Sequence, residues 1–150
     1  MNKNIQRARI KGLFFSTRLQ LSKNIVFSNS ISFLKGVTNQ NKPLAHIPPT
    51  KTMTSITYNV KGHYFKINTV FTGWKNIEDY DIAGVDNISE ATIDGNPSWY
   101  TINFDYIKKY NRKNKFMISV HNILDAHYKT FASGISAGGR NFILTWETSF

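Results

Sequence analysis

The last ten residues of this chain, N-F-I-L-T-W-E-T-S-F, constrain its fold more than any other stretch. Phe142, Leu144, Trp146 and Phe150 fall on alternate positions, with Thr148 the one weak member, while Asn141, Thr145, Glu147 and Ser149 fill most of the others. Period two sends successive side chains to opposite faces, so this reads as a strand with one apolar and one wet face. It closes on a phenylalanine with no polar tail. Termini facing water are usually polar and frayed, so a strand ending on an aromatic is expected to end in an apolar surrounding.

The same alternation recurs upstream. Ala8 to Leu21 sets Leu13, Phe15, Leu19 and Leu21 against Gly12, Ser16, Arg18 and Gln20, with Phe14 breaking the polarity. Ile25 to Val37 sets Ile25, Phe27, Ile31 and Phe33 against Ser28, Ser30 and Ser32. Three serines on one face suit a wet barrel interior better than a packed core. Lys51 to Lys61 (Ile56, Tyr58, Val60), His63 to Trp74 (Phe65, Ile67, Phe71), Ser98 to Tyr110 (Tyr100, Ile102, Phe104, Tyr106) and Phe116 to Asn122 (Phe116, Ile118, Val120) follow the same rule. With the last strand this makes about seven.

Their connections alternate in length. Ser22 to Asn24, Lys61-Gly62 and Asn111 to Asn114 are short, whereas Thr38 to Thr50, Lys75 to Pro97 and the Gly-rich stretch before Arg140 are long. Bacterial outer-membrane barrels keep short turns at the periplasm and long loops outside. Counting back from a C-terminus at the periplasmic side puts every short turn there. Aromatic rings on the apolar face also fall toward the strand ends, about six residues or roughly 20 Å apart. This is short of an apolar band of about 25 Å crossed at a tilt, so some rings are expected inside the band and the girdles give supporting evidence only.

Here a family resemblance appears. N-I-L-D-A-H-Y at Asn122 to Tyr128, followed by F-A-S-G-I-S-A-G-G-R-N-F and an aromatic terminus, resembles the end of the β-barrel of TonB-dependent outer-membrane receptors. Weaker echoes lie at Asn41 to Pro49, Gly95 to Phe104 and near Ala8, while Ala137 and Thr148 depart from the pattern. The resemblance implies an all-β antiparallel transmembrane barrel segment, part of a larger barrel of the 22-stranded kind, with residues 1–150 its C-terminal portion. It also implies a receptor for TonB-energised uptake of a bulky nutrient such as a ferric siderophore, haem, cobalamin or an oligosaccharide. The implied partners are outer-membrane lipid, TonB, an N-terminal plug domain and the barrel assembly machinery, which would read Phe142, Leu144, Trp146 and Phe150 as an assembly signal. Arg140 is a candidate ligand contact, since a guanidinium recognises carboxylate or phosphate bidentately.

Composition is compatible with this. The chain has 150 residues, no cysteine and a formal net charge of +10, but its basic residues gather at predicted turns and form no single patch, so nucleic acid is not an expected partner. No apolar run approaches the roughly 18 residues of a membrane helix. The apolar stretch Gly12 to Phe15 is too short for a signal-peptide core, so export is expected to be directed by sequence outside this chain. A fragment of about seven strands, with two unpaired edges, is expected to be incompetent for transport by itself.

Site motifs are few. Asp79-x-Asp81-x-Ala83-Gly84 with Glu90 approaches a calcium-loop spacing, but Ala83 removes one ligand and no helix flanks it, so Asp79, Asp81 and Glu90 are at most a weak cation loop. His121 and His127 fit no zinc signature. Asp105 and Glu147 share the wet face and could imitate paired catalytic carboxylates, although pairing with Arg or Lys is the simpler expectation. No nucleophile elbow, phosphate loop or dinucleotide fingerprint is present, so neither an enzyme nor a cofactor is expected. The competing fold is a soluble all-β binding module, lipocalin-like or a sandwich, that buries the apolar face in its own core.

Overall fold

A computed structural model describes residues 7–81 and 85–149. Phe150, Ala83 and Gly84, which figured in the terminal signal and the calcium-like spacing, lie outside them. Among the described residues the strands are β1 Ala8–Gln20, β2 Ile25–Thr38, β3 Lys51–Val60, β4 His63–Thr72, β5 Lys75–Asn76, β6 Gly95–Asn96, β7 Trp99–Lys109, β8 Asn114–His121 and β9 Asn141–Thr148. Seven form one sheet in the order β1-β2-β3-β4-β7-β8-β9, and β5 with β6 makes a separate ribbon. All six pairs of the large sheet are antiparallel. For β1–β2, β3–β4 and β7–β8, joined by turns of four residues or fewer, no other pairing is possible.

The registers run unbroken, and this makes the sheet two-faced across its whole width. One row joins Leu19, Phe27, Ile56, Ile67, Phe104, Val120 and Phe142 from β1 to β9. Another joins Gln20, Val26, Thr57, Lys66, Asp105, Ser119 and Ile143 on the opposite face. A one-residue slip at any pair would mix the faces. Near the short turns the apolar face carries a ring ladder, with Tyr58 and Phe65 centroids 6.2 Å apart and Phe65 and Tyr106 5.0 Å apart.

Two departures from simple alternation stand out. Thr17, Asn29, Thr54 and Thr69 form a polar row on the apolar face, but Asn29 Nδ2 donates to Thr54 Oγ1 at 2.8 Å, so that part of the row satisfies itself. Conversely Ile10, Phe14 and Leu34 lie exposed on the wet face at the long-loop end of β1 and β2, so that face is not polar throughout.

Burial is the inverse of a soluble domain. Leu13, Phe142, Leu144 and Trp146 are at least 60% exposed, while Thr101 and Ser119 on the wet face are 5% or less. Among the described residues the only buried hydrophobic side chains are Ile47 and Tyr80, and both belong to loops. A sandwich or lipocalin would cover the apolar face of its sheet. Among the described residues nothing covers it.

Candidate functional site

The wet face is a hydrogen-bonded polar surface. Asn103 Nδ2 donates to Asn68 Oδ1 at 2.9 Å, Asn103 Oδ1 accepts from the Asn122 amide at 2.8 Å, and Ser119 Oγ donates to Asp105 Oδ1 at 2.6 Å. Toward the short turns lies a depression of about 370 Å³ walled by Arg18, Lys23 and Lys66, with Asn59 and Tyr64 between them. Its cationic lining suits anionic groups. The two wet-face carboxylates stay apart: Asp105 serves Ser119 and lies 3.5 Å from His121 Nε2, whereas Glu147 pairs with Lys115 at 2.7 Å. That is structural pairing, with no shared proton to support acid-base chemistry.

At the long-loop end the segments 39–50, 73–81, 85–98 and 122–140 pack on one another and, at Gly36 and Trp99, on the wet face. A Cβ on Gly36 would stand 2.6 Å from Ile47 Cδ1, so the loop after β2 sits directly on that backbone. Trp99, at the start of β7, stacks on Tyr128 with centroids 4.0 Å apart. Lys75 joins three of these segments: its Nζ donates to the Ile47 carbonyl at 2.9 Å and lies 5.1 Å from the Phe131 ring centroid and 5.9 Å from that of Tyr80. Asp86, wholly buried, accepts from the His46 amide at 2.8 Å. Cation-π contacts and one carbonyl thus hold an ammonium that has lost most of its water.

Burial pushes the Lys75 ammonium below its ordinary 10.5, with Asp79 and Asp86 pulling the other way. Burial also raises the Tyr80 phenol above 10.0, and Asp86 adds to this. In the window between the lowered folded value of Lys75 and 10.5, the unfolded cap holds more protons, so cap stability rises with pH there. Tyr80 acts in reverse and removes stability as pH passes 10.0. Amide exchange in segment 73–98, corrected for its intrinsic pH dependence, should show the rise below 10.0 in the parent, and Lys75→Met should abolish it. An identical pH response in both proteins would reject the buried-lysine account.

The residues singled out from sequence are distributed as follows. Asp79 closes a 3-10 turn at Ile77–Asp79 and Glu90 closes another at Ile88–Glu90. Glu90 is engaged by Lys129 Nζ at 3.0 Å. Asp81 lies between the two turns, and among the described residues no three His, Cys, Asp or Glu side chains are grouped to hold a metal ion. Arg140, immediately before β9, staples the loop at 122–140: its amide donates to Asp125 Oδ1 at 2.7 Å and its Nε to the Ile123 carbonyl at 2.9 Å. Phe142, Leu144 and Trp146 point to the apolar face with Phe116 and Ile118, and Thr145 and Glu147 to the other. His121 stands beside Asp105, while His127 lines a separate depression with Trp99 and Tyr128. Lys75 and Asp86, the buried charges of the cap, carry no local sequence signal, because their burial depends on loops distant in sequence.

No family model and no curated protein matches this chain. Solved structures do match, 28 chains in all. Among them is the copper transporter OprC, to which the chain is similar with a TM-score of 0.82 at 17% sequence identity, over 95% of this chain and 24% of that one. The chain therefore spans about a quarter of that protein's length, and at this identity the likeness is one of fold.

Proposed function

We propose that the chain is the C-terminal barrel wall, with its outer loops, of a TonB-dependent receptor in the bacterial outer membrane. The observation that carries this is the two-faced sheet: an apolar row unbroken across all seven strands, left uncovered, backed by a hydrogen-bonded polar face. Water would penalise such an exposed face, whereas lipid accepts it. The terminal N-I-L-D-A-H-Y and Gly-Gly-Arg-Asn segments and the fold likeness to a transporter support the same reading. Free edges on β1 and β9 are then the joins to further strands of a closed barrel.

On this reading the wet face lines the lumen beside a plug domain, and the packed loops stand at the outer mouth where a nutrient arrives. Uptake is energised through TonB. A ferric siderophore, haem, cobalamin or an oligosaccharide is the nutrient class the resemblance favours, and the name of the structural neighbour adds copper. Phe142, Leu144, Trp146 and Phe150 present the terminal strand to the assembly machinery, Arg140 is available to ligand once the outer loop rearranges, and Asp79, Asp81 and Glu90 at most order the acidic loop around a weakly held cation. The full-length receptor is expected in the outer-membrane fraction as a protease-protected barrel, and deleting Phe150 should lower that level more than deleting Asn87 does. A monodisperse monomer formed by this chain alone in plain buffer would overturn the membrane reading.

A further inference from the structure

Among the described residues the apolar face of the sheet carries charge only near its ends, and only of one sign. Arg9, Lys11 and Lys35 stand on it at the long-loop end, and Lys108, with His63 beside it, at the short-turn end. The two strand carboxylates, Asp105 and Glu147, are both on the wet face, so among the described residues no acid on this face of the sheet neutralises these cations.

At the short-turn end the arrangement is specific. His63 and Lys108 are register partners on β4 and β7. Lys108 Nζ lies 2.5 Å from His63 Nε2, and His63 Nδ1 lies 2.9 Å from the Tyr106 hydroxyl. A lysine ammonium can only donate, so Nε2 accepts, the ring proton sits on Nδ1, and Nδ1 donates to Tyr106. Tyr106 keeps its own O–H to give. All the bonds run in one direction, and the polar hydrogens left over, on Lys108 and Tyr106, are donors. The complement of such a group is an anion with several oxygens. Its surroundings are apolar: His63 stacks on Phe65 and Tyr106 with centroids 6.4 and 5.9 Å away. An anion that settles there needs an apolar body to lie along the face below it.

We propose that Lys108, His63 and Tyr106 form a binding site for the phosphate of an anionic phospholipid in the leaflet at the short-turn end of the barrel, its acyl chains lying along the row through Phe65 and Ile67. The site rests on the membrane-barrel reading above. Charge complementarity identifies the headgroup, and the apolar face selects a lipid over free phosphate.

The test uses the full-length receptor reconstituted in vesicles of phosphatidylcholine with phosphatidylglycerol, then extracted, with the retained lipids weighed by mass spectrometry. Insertion is checked first by protease protection, because a parent that does not insert overturns the barrel reading together with this one. For an inserted parent, Lys108→Gln should reduce the ratio of retained phosphatidylglycerol to phosphatidylcholine about fivefold, the effect of one cation at a lipid surface. Tyr106→Phe, which removes a single oxygen and spares the fold, should reduce it by a smaller factor. Lys61→Gln, in the adjacent turn, should leave it unchanged. Equal losses in Lys61→Gln and Lys108→Gln with none in Tyr106→Phe would mean diffuse attraction and overturn the site, as would release of the lipid by inorganic phosphate.

Discussion

Replacing Ile56 by arginine is expected, in the proposed membrane barrel, to destabilise the inserted state by about 2–4 kcal/mol, the cost of a cation on a lipid-facing position near the bilayer midplane. Ile56 lies in the apolar row between Phe27 and Ile67, half exposed to the surroundings of the sheet. Ser55, its neighbour in β3, lies on the wet face between Ser28 and Asn68. Ser55→Arg places the same charge on the same strand but on the face that the proposed barrel turns to a water-filled lumen, where nearby Arg18 and Lys66 would be screened, and it should cost little. Urea midpoints of the full-length receptor in lipid vesicles measure both. The contrast reports the surroundings of each face, because strand, depth and the introduced residue are held constant. Equal penalties for the two variants would mean that neither face meets lipid.

Gly95→Ala is expected to dismantle the loop cap while leaving the strand ladder intact. Gly95 has φ +114, and a Cβ built on it would stand 2.0 Å from the Lys75 carbonyl oxygen and 2.8 Å from the Ile77 amide nitrogen. Both are backbone atoms, so relief requires opening the β5–β6 ribbon that holds Lys75 among Ile47, Tyr80 and Phe131. The conformation alone costs an L-residue about 1–3 kcal/mol, and exposing the cap adds to it. Proteolysis in segment 73–98 should rise sharply with unchanged strand circular dichroism. Gly138→Ala, where nothing lies within 4 Å of the added carbon, is the neutral comparison. A Gly95→Ala protein as resistant as Gly138→Ala would show that the ribbon does not hold the cap.

The seven long strands and their faces are legible in the sequence because each is a local, period-two pattern longer than the ambiguity of a single substitution. Leu144, Trp146, Thr145 and Glu147 project as the alternation predicts, and the short turns at 21–24, 61–62 and 110–113 leave antiparallel pairing as the only geometry. Residue-level contacts are not legible in the same way. Glu90, by spacing a member of at most a weak cation loop, is engaged by Lys129, thirty-nine positions away, which no local pattern announces. Arg140, a candidate ligand contact by resemblance, holds Ile123 and Asp125 of its own loop, a pairing its sequence neighbours do not reveal. Lys75, Tyr80 and Asp86 sit in a stretch without period, where nothing local separates a buried charge from a solvated one. Strand existence, facing and turn length were thus set by the sequence alone, since φ/ψ alternation assigns a face before any partner arrives. The self-satisfied Asn29–Thr54 pair, the Lys108–His63–Tyr106 cluster and the buried Lys75 were decided only by tertiary structure, because each depends on side chains that register or loop packing brings together from separate segments.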